Sequence, residues 1–152
     1  MTELSDSELL EMFHNSGNPD YAFNLLVRKY QEKVYWHIRR LVIDHDDAND
    51  IAQNVFIKAW QGLPHFRGDS GIFSWLYRIA TNEAITFLNK KRKRFFIPWH
   101  DIEQALSEKL ESDRYFSADE VLLKLQKAIL TLPPKQRVIF NMRYYDLIDR
   151  KS

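Results

Sequence analysis

The sequence predicts an all-α protein, and three observations carry that prediction. Apolar residues recur at steps of three and four along most of the 152-residue chain, no convincing run alternates with period two, and capping residues stand ahead of several apolar stripes. Hydrophobic residues at 45% and charged residues at 28% allow a buried core in one ordinary domain or two small ones.

Ser5 and Glu8 form a capping-box pattern before Leu9, Leu10 and Phe13, which predicts a short first helix. Asn18 followed by Pro19 reads as a cap with proline at the first helical position. Phe23, Leu26, Val27, Tyr30, Val34, Ile38 and Leu41 then form one stripe. In DHDDANDIAQNVFIKAW, residues 44–60, acids stand at a helix start, where the macrodipole favours them. Ile51, Val55 and Ala59 make one row of that helix and Ala52, Phe56 and Trp60 the neighbouring one, until Gly62 and Pro64 stop it.

The next helix is expected from near Asp69 or Ser70 to the basic run KKRKR at 90–94. Its buried stripe is Phe73, Leu76, Tyr77, Ala80, Ala84, Phe87 and Leu88, while Trp75, Arg78, Asn82 and Thr86 take a different face. Residues 95–116 lose this periodicity and read as a linker with one short helical piece. Ser117 and Glu120 suggest another capping box, followed by Val121, Leu122, Leu125, Ala128, Ile129 and Leu132. Pro133 ends that run, and Pro134 can open a last helix through Arg137, Val138, Met142 and Tyr145.

The chain contains no cysteine, which excludes disulfides and thiolate metal sites. Its acidic, mixed beginning lacks the form of a secretory leader or membrane span, so a cytoplasmic protein without membrane insertion is expected. The net charge of +1 hides a division. Residues 1–57 carry five basic and ten acidic side chains, 58–94 eight and two, and 95–152 nine and nine. A basic middle between acidic and neutral flanks is a local footprint for a polyanion.

Asp44, His45, Asp46, Asp47 and Asp50 invite a metal or acid–base reading, but no HExxH-like partner accompanies them and the helix dipole explains acids there. No phosphate loop or nucleophile motif occurs, and with four glycines a nucleotide cradle has little material. Neither catalytic residues, nor a metal, nor a cofactor is therefore expected. The basic stretch is instead interleaved with Trp60, Phe66, Phe73, Trp75, Tyr77 and Phe87, beside Arg67, Arg78 and Asn82. Stacking on an aromatic face is worth about 1–3 kcal/mol per base, and an Asn amide can read a base edge with two hydrogen bonds.

Three blocks together, DDANDIAQNVFIKAW, FRGDSGIFSWLYRIATNEAITFLNKKRKR and LTLPPKQRVIFNMRYYD, resemble the extracytoplasmic-function (ECF) group of bacterial sigma-70 factors. The resemblance implies a helical sigma region 2 domain over residues 1–94, a linker over 95–116 and a partial region 4 domain over 117–152. It implies that Asp50, Ile51, Gln53, Asn54, Phe56, Lys58 and Trp60 bind the beta-prime coiled coil of RNA polymerase core; the family commonly has an acid at the position of Asn54. It further implies contact with the minus-ten non-template strand by Phe66, Arg67, Gly68, Asp69, Ser70, Trp75, Arg78, Asn82, Lys90, Lys91, Arg92, Lys93 and Arg94. The acidic linker would thread a positively charged polymerase channel, and an anti-sigma factor would regulate the protein. Only LIDRKS follows Asp146, whereas a helix-turn-helix takes roughly 20 residues, so minus-thirty-five reading is expected to be absent or impaired. Two other readings stay open: a helical module that binds only polymerase or an anti-sigma partner, and a metal-dependent hydrolase built on Asp44–Asp50.

Overall fold

Residues 4–68, 71–94, 97–133 and 136–140 are described in a computed structural model. They form α1 (Asp6–Asn15), α2 (Pro19–Val42), α3 (His45–Gly62), a 3-10 turn (Leu63–His65), α4 (Ile72–Arg94), α5 (Trp99–Ser112), α6 (Arg114–Ser117) and α7 (Glu120–Leu130), and 136–140 are helical. No strand occurs among them.

The first four helices pack as a bundle. Ser5 caps α1, Asn18 Oδ1 accepts from the Tyr21 amide at 3.3 Å, and Asp44 Oδ2 accepts from the Asp47 amide at 3.0 Å. That last bond is the chief reason the Asp44 carboxyl is held below its ordinary pKa. The inner rows are Leu26, Tyr30, Val34, Ile38 and Leu41 on α2, Ala48, Ile51, Val55 and Ala59 on α3, and Ile72, Leu76, Ala80, Ala84 and Leu88 on α4. The alanines at 48, 59, 80 and 84 are fully buried, so small side chains stand where α3 and α4 meet.

His37 joins α2 to α4. It is fully buried, shares a 2.8 Å hydrogen bond with Thr81 Oγ1, and stacks on Tyr77 with ring centroids 4.5 Å apart. Burial, reinforced by the charge of Arg40, lowers its pKa to about 3, so the ring is neutral in the folded protein.

Between α2 and α3 the chain turns in one residue. Ile43 adopts φ 66° and ψ −44°, and the Asp44 amide donates to Val42 O at 2.7 Å. This is a γ-turn of the rare, strained hand, occupied by a β-branched residue. Arg39 holds it, its Nε donating to Ile43 O at 2.6 Å.

Two differences from the sequence expectation stand out, and some expectations lie outside the described residues. The helical piece expected within 95–116 is longer than a short one: α5 runs for 14 residues, with Ile102, Leu106 and Leu110 buried on one row among acids that dilute the pattern. Helix α7 is capped by Asp119, which accepts from Val121 and Leu122, because Ser117 is already spent as the last residue of α6. Helix α4 is described from Ile72, with the Trp75 amide donating to Gly71 O at 3.1 Å, while Asp69 and Ser70 lie outside the described residues, as do Met142, Tyr144, Tyr145 and Asp146.

Helices α5, α6 and α7 pack on one another, and their buried row joins the core of the bundle through a narrow seam of side chains. Gln126 of α7 and Arg137 are buried, and among the described residues Gln126 Nε2 and Arg137 Nε have no hydrogen-bond partner. Each such group costs about 1–3 kcal/mol.

Candidate nucleic-acid interface and docking groove

Two surfaces remain once the core rows are placed. The first lies between α2 and α3. Phe23, Val27 and Tyr35 of α2 face Ala52, Phe56, Ile57 and Trp60 of α3 across a groove of about 900 Å³, with Gln31, Glu32, Asn49 and Gln53 completing its walls. Trp60 closes one end, edge-on to Phe13 at 5.9 Å and to Phe23 at 5.1 Å between ring centroids. Ile57 is 56% exposed and Trp60 40%, so the apolar surface is open to a partner.

The residues expected to bind polymerase divide around this groove. Gln53, Phe56 and Trp60 line it. Asp50 and Asn54 are exposed on α3 but outside it, and Lys58 is turned towards α4, where it pairs with Glu83. Ile51 is only 3% exposed, and its place is in the core rather than at a contact surface. Phe23, Val27, Gln31, Glu32, Tyr35, Asn49, Ala52 and Ile57 were not singled out from the sequence as contact residues. Exposed Ile57 beside Trp60 was the available signal; the α2 wall could not be assigned before the pairing of α2 with α3 was known.

The second surface is the outer side of α4. Arg78, Asn82, Thr86 and Lys90 are exposed at four-residue steps, and at 1.5 Å per residue they span about 18 Å. Lys93 and Arg94 extend this surface. Lys91 and Arg92 are half-buried, and the charge of Lys91 pulls downwards on the pKa of Asp44 and of Asp47, as a minor contribution in each case. On Asp47 that pull is outweighed, first by burial and then by the Asp44 charge, and its pKa is raised.

At the N-terminal end of α4, Trp75 is half-buried against Phe66, with ring centroids 4.9 Å apart. A Cβ on Gly62 would stand 3.1 Å from Trp75 Cζ2, so the bare glycine lets the indole lie on the end of α3. Arg67 and Gly68 are exposed, and Gly68 has φ +81°, a conformation that suits glycine rather than an L side chain. Phe73 and Tyr77 turn the other way, towards Tyr30 and His37 of α2. Arg78 and Asn82, placed by the sequence on a face apart from the buried stripe, are exposed; Trp75, expected on that same face, is half-buried and packs against the core.

The cluster Asp44–Asp50 has a local explanation. Asp44 caps α3, and among the described residues no three acidic or histidine side chains converge as a metal site.

A sigma-70 region 2 family model matches residues 26–94, which contain both surfaces apart from Phe23. The chain is 35% identical to the RNA polymerase sigma-H factor of Pseudomonas aeruginosa over 156 aligned residues, covering 96% of this chain and 79% of that protein. It is 33% identical to the ECF RNA polymerase sigma-E factor of Escherichia coli K12 over 154 aligned residues, covering 95% and 78% respectively. The sigma-E factor of Salmonella typhimurium LT2 is similar to the same degree, 33% identical over 154 residues.

Proposed function

The chain belongs to the ECF sigma factors of the sigma-70 family, which act in promoter-directed transcription initiation, and from that premise we propose how its two surfaces divide the work. The α2–α3 groove docks RNA polymerase core, and the outer face of α4 holds the non-template strand of the minus-ten element.

The groove suits an amphipathic helix, such as one strand of the beta-prime coiled coil, because such helices seat an apolar row between apolar walls. Phe56, Ile57 and Trp60 would be the anchors, with Gln53 and the exposed Asp50 and Asn54 at the rim. Residues of this kind carry most of the energy of an interface when they are desolvated.

On α4, the Asn82 amide is the group that can discriminate a base, by about 1–3 kcal/mol. Trp75 and Phe66 form an aromatic rim at the loop that contains Arg67 and Gly68. Unstacking a base costs a few kcal/mol, and stacking at this rim together with the Asn82 contact offsets it. Lys90, Lys93 and Arg94 serve the phosphates without reading sequence. Three phosphate contacts to a single strand give a salt slope of about −2 in log K against log salt.

In this reading the chain contributes no catalytic group and no cofactor; the polymerase performs the chemistry. No described helix is long and apolar enough to cross a membrane, and the protein works beside RNA polymerase in the cytoplasm. Residues 1–94 form the polymerase and minus-ten unit, 95–116 connect it to the following helices, and an anti-sigma protein covers the groove when transcription is off.

The observation that carries the proposal is the two-sided α4, which buries Leu76, Ala80 and Ala84 while exposing Arg78, Asn82 and Thr86. Co-migration of the chain with core polymerase and a labelled minus-ten oligonucleotide tests it. Binding of both supports the division, and a folded chain that binds neither removes it.

A further inference from the structure

Asn82 stands between two residues that are tied to different helices. Thr81, one position before it, is buried, and its Oγ1 shares a 2.8 Å hydrogen bond with Nε2 of His37 on α2. Glu83, one position after it, is half-buried and pairs with Lys58 on α3. Successive residues of a helix are about 100° apart, so the two ties lie on opposite flanks of the Asn82 side chain.

The rest of the interface at this level offers little to hold the rotation of α4. Its inward side chains there are Ala80 and Ala84, both fully buried, and single methyls let helices approach closely without the ridges that resist turning. The His37 ring cannot swing to follow a moving hydroxyl, because it lies on Tyr77 with centroids 4.5 Å apart and planes 13° from parallel. A buried polar pair of this kind is satisfied in one register only, since separating it leaves two polar groups in the core without solvent.

The pair on the other flank adds little stability, because the Lys58 side chain is 58% exposed. Its direction is what counts. Turning α4 about its axis lifts one of the two flanking residues off its partner and drives the other into the core. A turn of about 10° moves a group about 6 Å from the helix axis by about 1 Å, more than the width of the distance range that a good hydrogen bond tolerates.

We propose that Thr81 and Glu83 are positioning residues for base recognition: tied to His37 and to Lys58, they clamp α4 about its axis and hold the Asn82 amide where it can make two hydrogen bonds to one base. The inference rests on the reading of Asn82 as the group that discriminates a base. It gives Lys58 a place in promoter reading, through α4.

Competition on the full chain between single-stranded minus-ten oligonucleotides that differ at one base gives the ratio of affinities for the preferred and the replaced base. Thr81→Val keeps the volume and removes the hydroxyl. The ratio is expected to fall on the order of fivefold, the low end of what one base contact supplies, with the affinity for the replaced base and the salt slope unchanged. Thr81→Ser keeps the hydroxyl and is expected to keep the ratio. Because Thr81→Val leaves His37 without this partner, His37→Leu combined with Thr81→Val is the second variant: the apolar pair restores stability in urea unfolding, yet the ratio is expected to stay low. Glu83→Ala is expected to lower the ratio about twofold to threefold, and Lys58→Glu combined with Glu83→Lys to restore it. The negative charge lost in Glu83→Ala raises affinity for all sequences alike and drops out of the ratio.

An unchanged ratio in Thr81→Val or in Glu83→Ala, while Asn82→Ala abolishes the preference, overturns the clamp and leaves the reading of Asn82 standing. A ratio that recovers together with stability in the apolar double variant also overturns it, since the tie then serves the fold alone. If Asn82→Ala itself leaves the ratio unchanged, the reading of Asn82 fails and the clamp fails with it.

Discussion

Acidification from about pH 7.5 to about pH 5 should destabilise the protein through a single buried histidine. The His37 imidazole takes up a proton near 6.5 when unfolded but only near 3 when folded, because burial and the neighbouring Arg40 charge disfavour the cation. Between those values the unfolded state binds more protons, so lowering the pH favours unfolding. The full contribution is present above 6.5 and declines until the folded ring protonates near 3. At about 1.4 kcal/mol per pH unit, the loss is about 2 kcal/mol by pH 5 and about 4 kcal/mol at pH 3, where the folded ring is itself half-protonated. His37→Gln can keep a hydrogen bond to Thr81 but does not titrate. Urea unfolding at both pH values should therefore show a loss about 2 kcal/mol larger in the unsubstituted protein than in the variant. Equal losses, or a His37 ring resonance that titrates near its ordinary pKa, would refute the reasoning.

Asn82→Ala should weaken minus-ten single-strand binding by about 1–3 kcal/mol for the preferred base and little for others, as read by competition between oligonucleotides. Replacing Lys90, Lys93 and Arg94 with Ala should instead weaken binding to all sequences and remove most of the salt slope. Ile57→Asp, at an exposed position on the groove, should leave the melting temperature nearly unchanged while weakening core polymerase binding by about 2 kcal/mol or more, measured by titration of labelled chain. Leu110→Ala removes a fully buried side chain from α5 and should cost about 2–5 kcal/mol in chemical unfolding, a loss that a solvated linker would not show. Gln126→Leu should raise stability by about 1 kcal/mol, because it removes a buried amide nitrogen that has no partner among the described residues.

The bundle was legible where one period governed a long segment. Val34, Ile38 and Leu41 on α2, like Leu76, Ala80 and Ala84 on α4, announce their burial by spacing alone. Helix α5 was not legible in the same way, since Ile102, Leu106 and Leu110 are separated by acids and follow a stretch without periodicity. Its stability as a helix comes from a partner surface on α6 and α7 that local pattern does not reveal.

The sequence by itself determined the helical class, the caps at Ser5 and Asn18, the acidic start of α3, and the exposed face that carries Arg78 and Asn82, because these follow from contacts within a few residues along the chain. Tertiary structure alone decided that Phe23, Val27 and Tyr35 share a groove with Phe56 and Trp60, that Lys58 turns to Glu83, and that Ile51 is withdrawn into the core. It also brought Asp113 to Arg39, 74 positions apart in the chain. Periodicity tells which side of a helix is apolar; which neighbour covers that side depends on how the helices cross, and only the folded chain sets that.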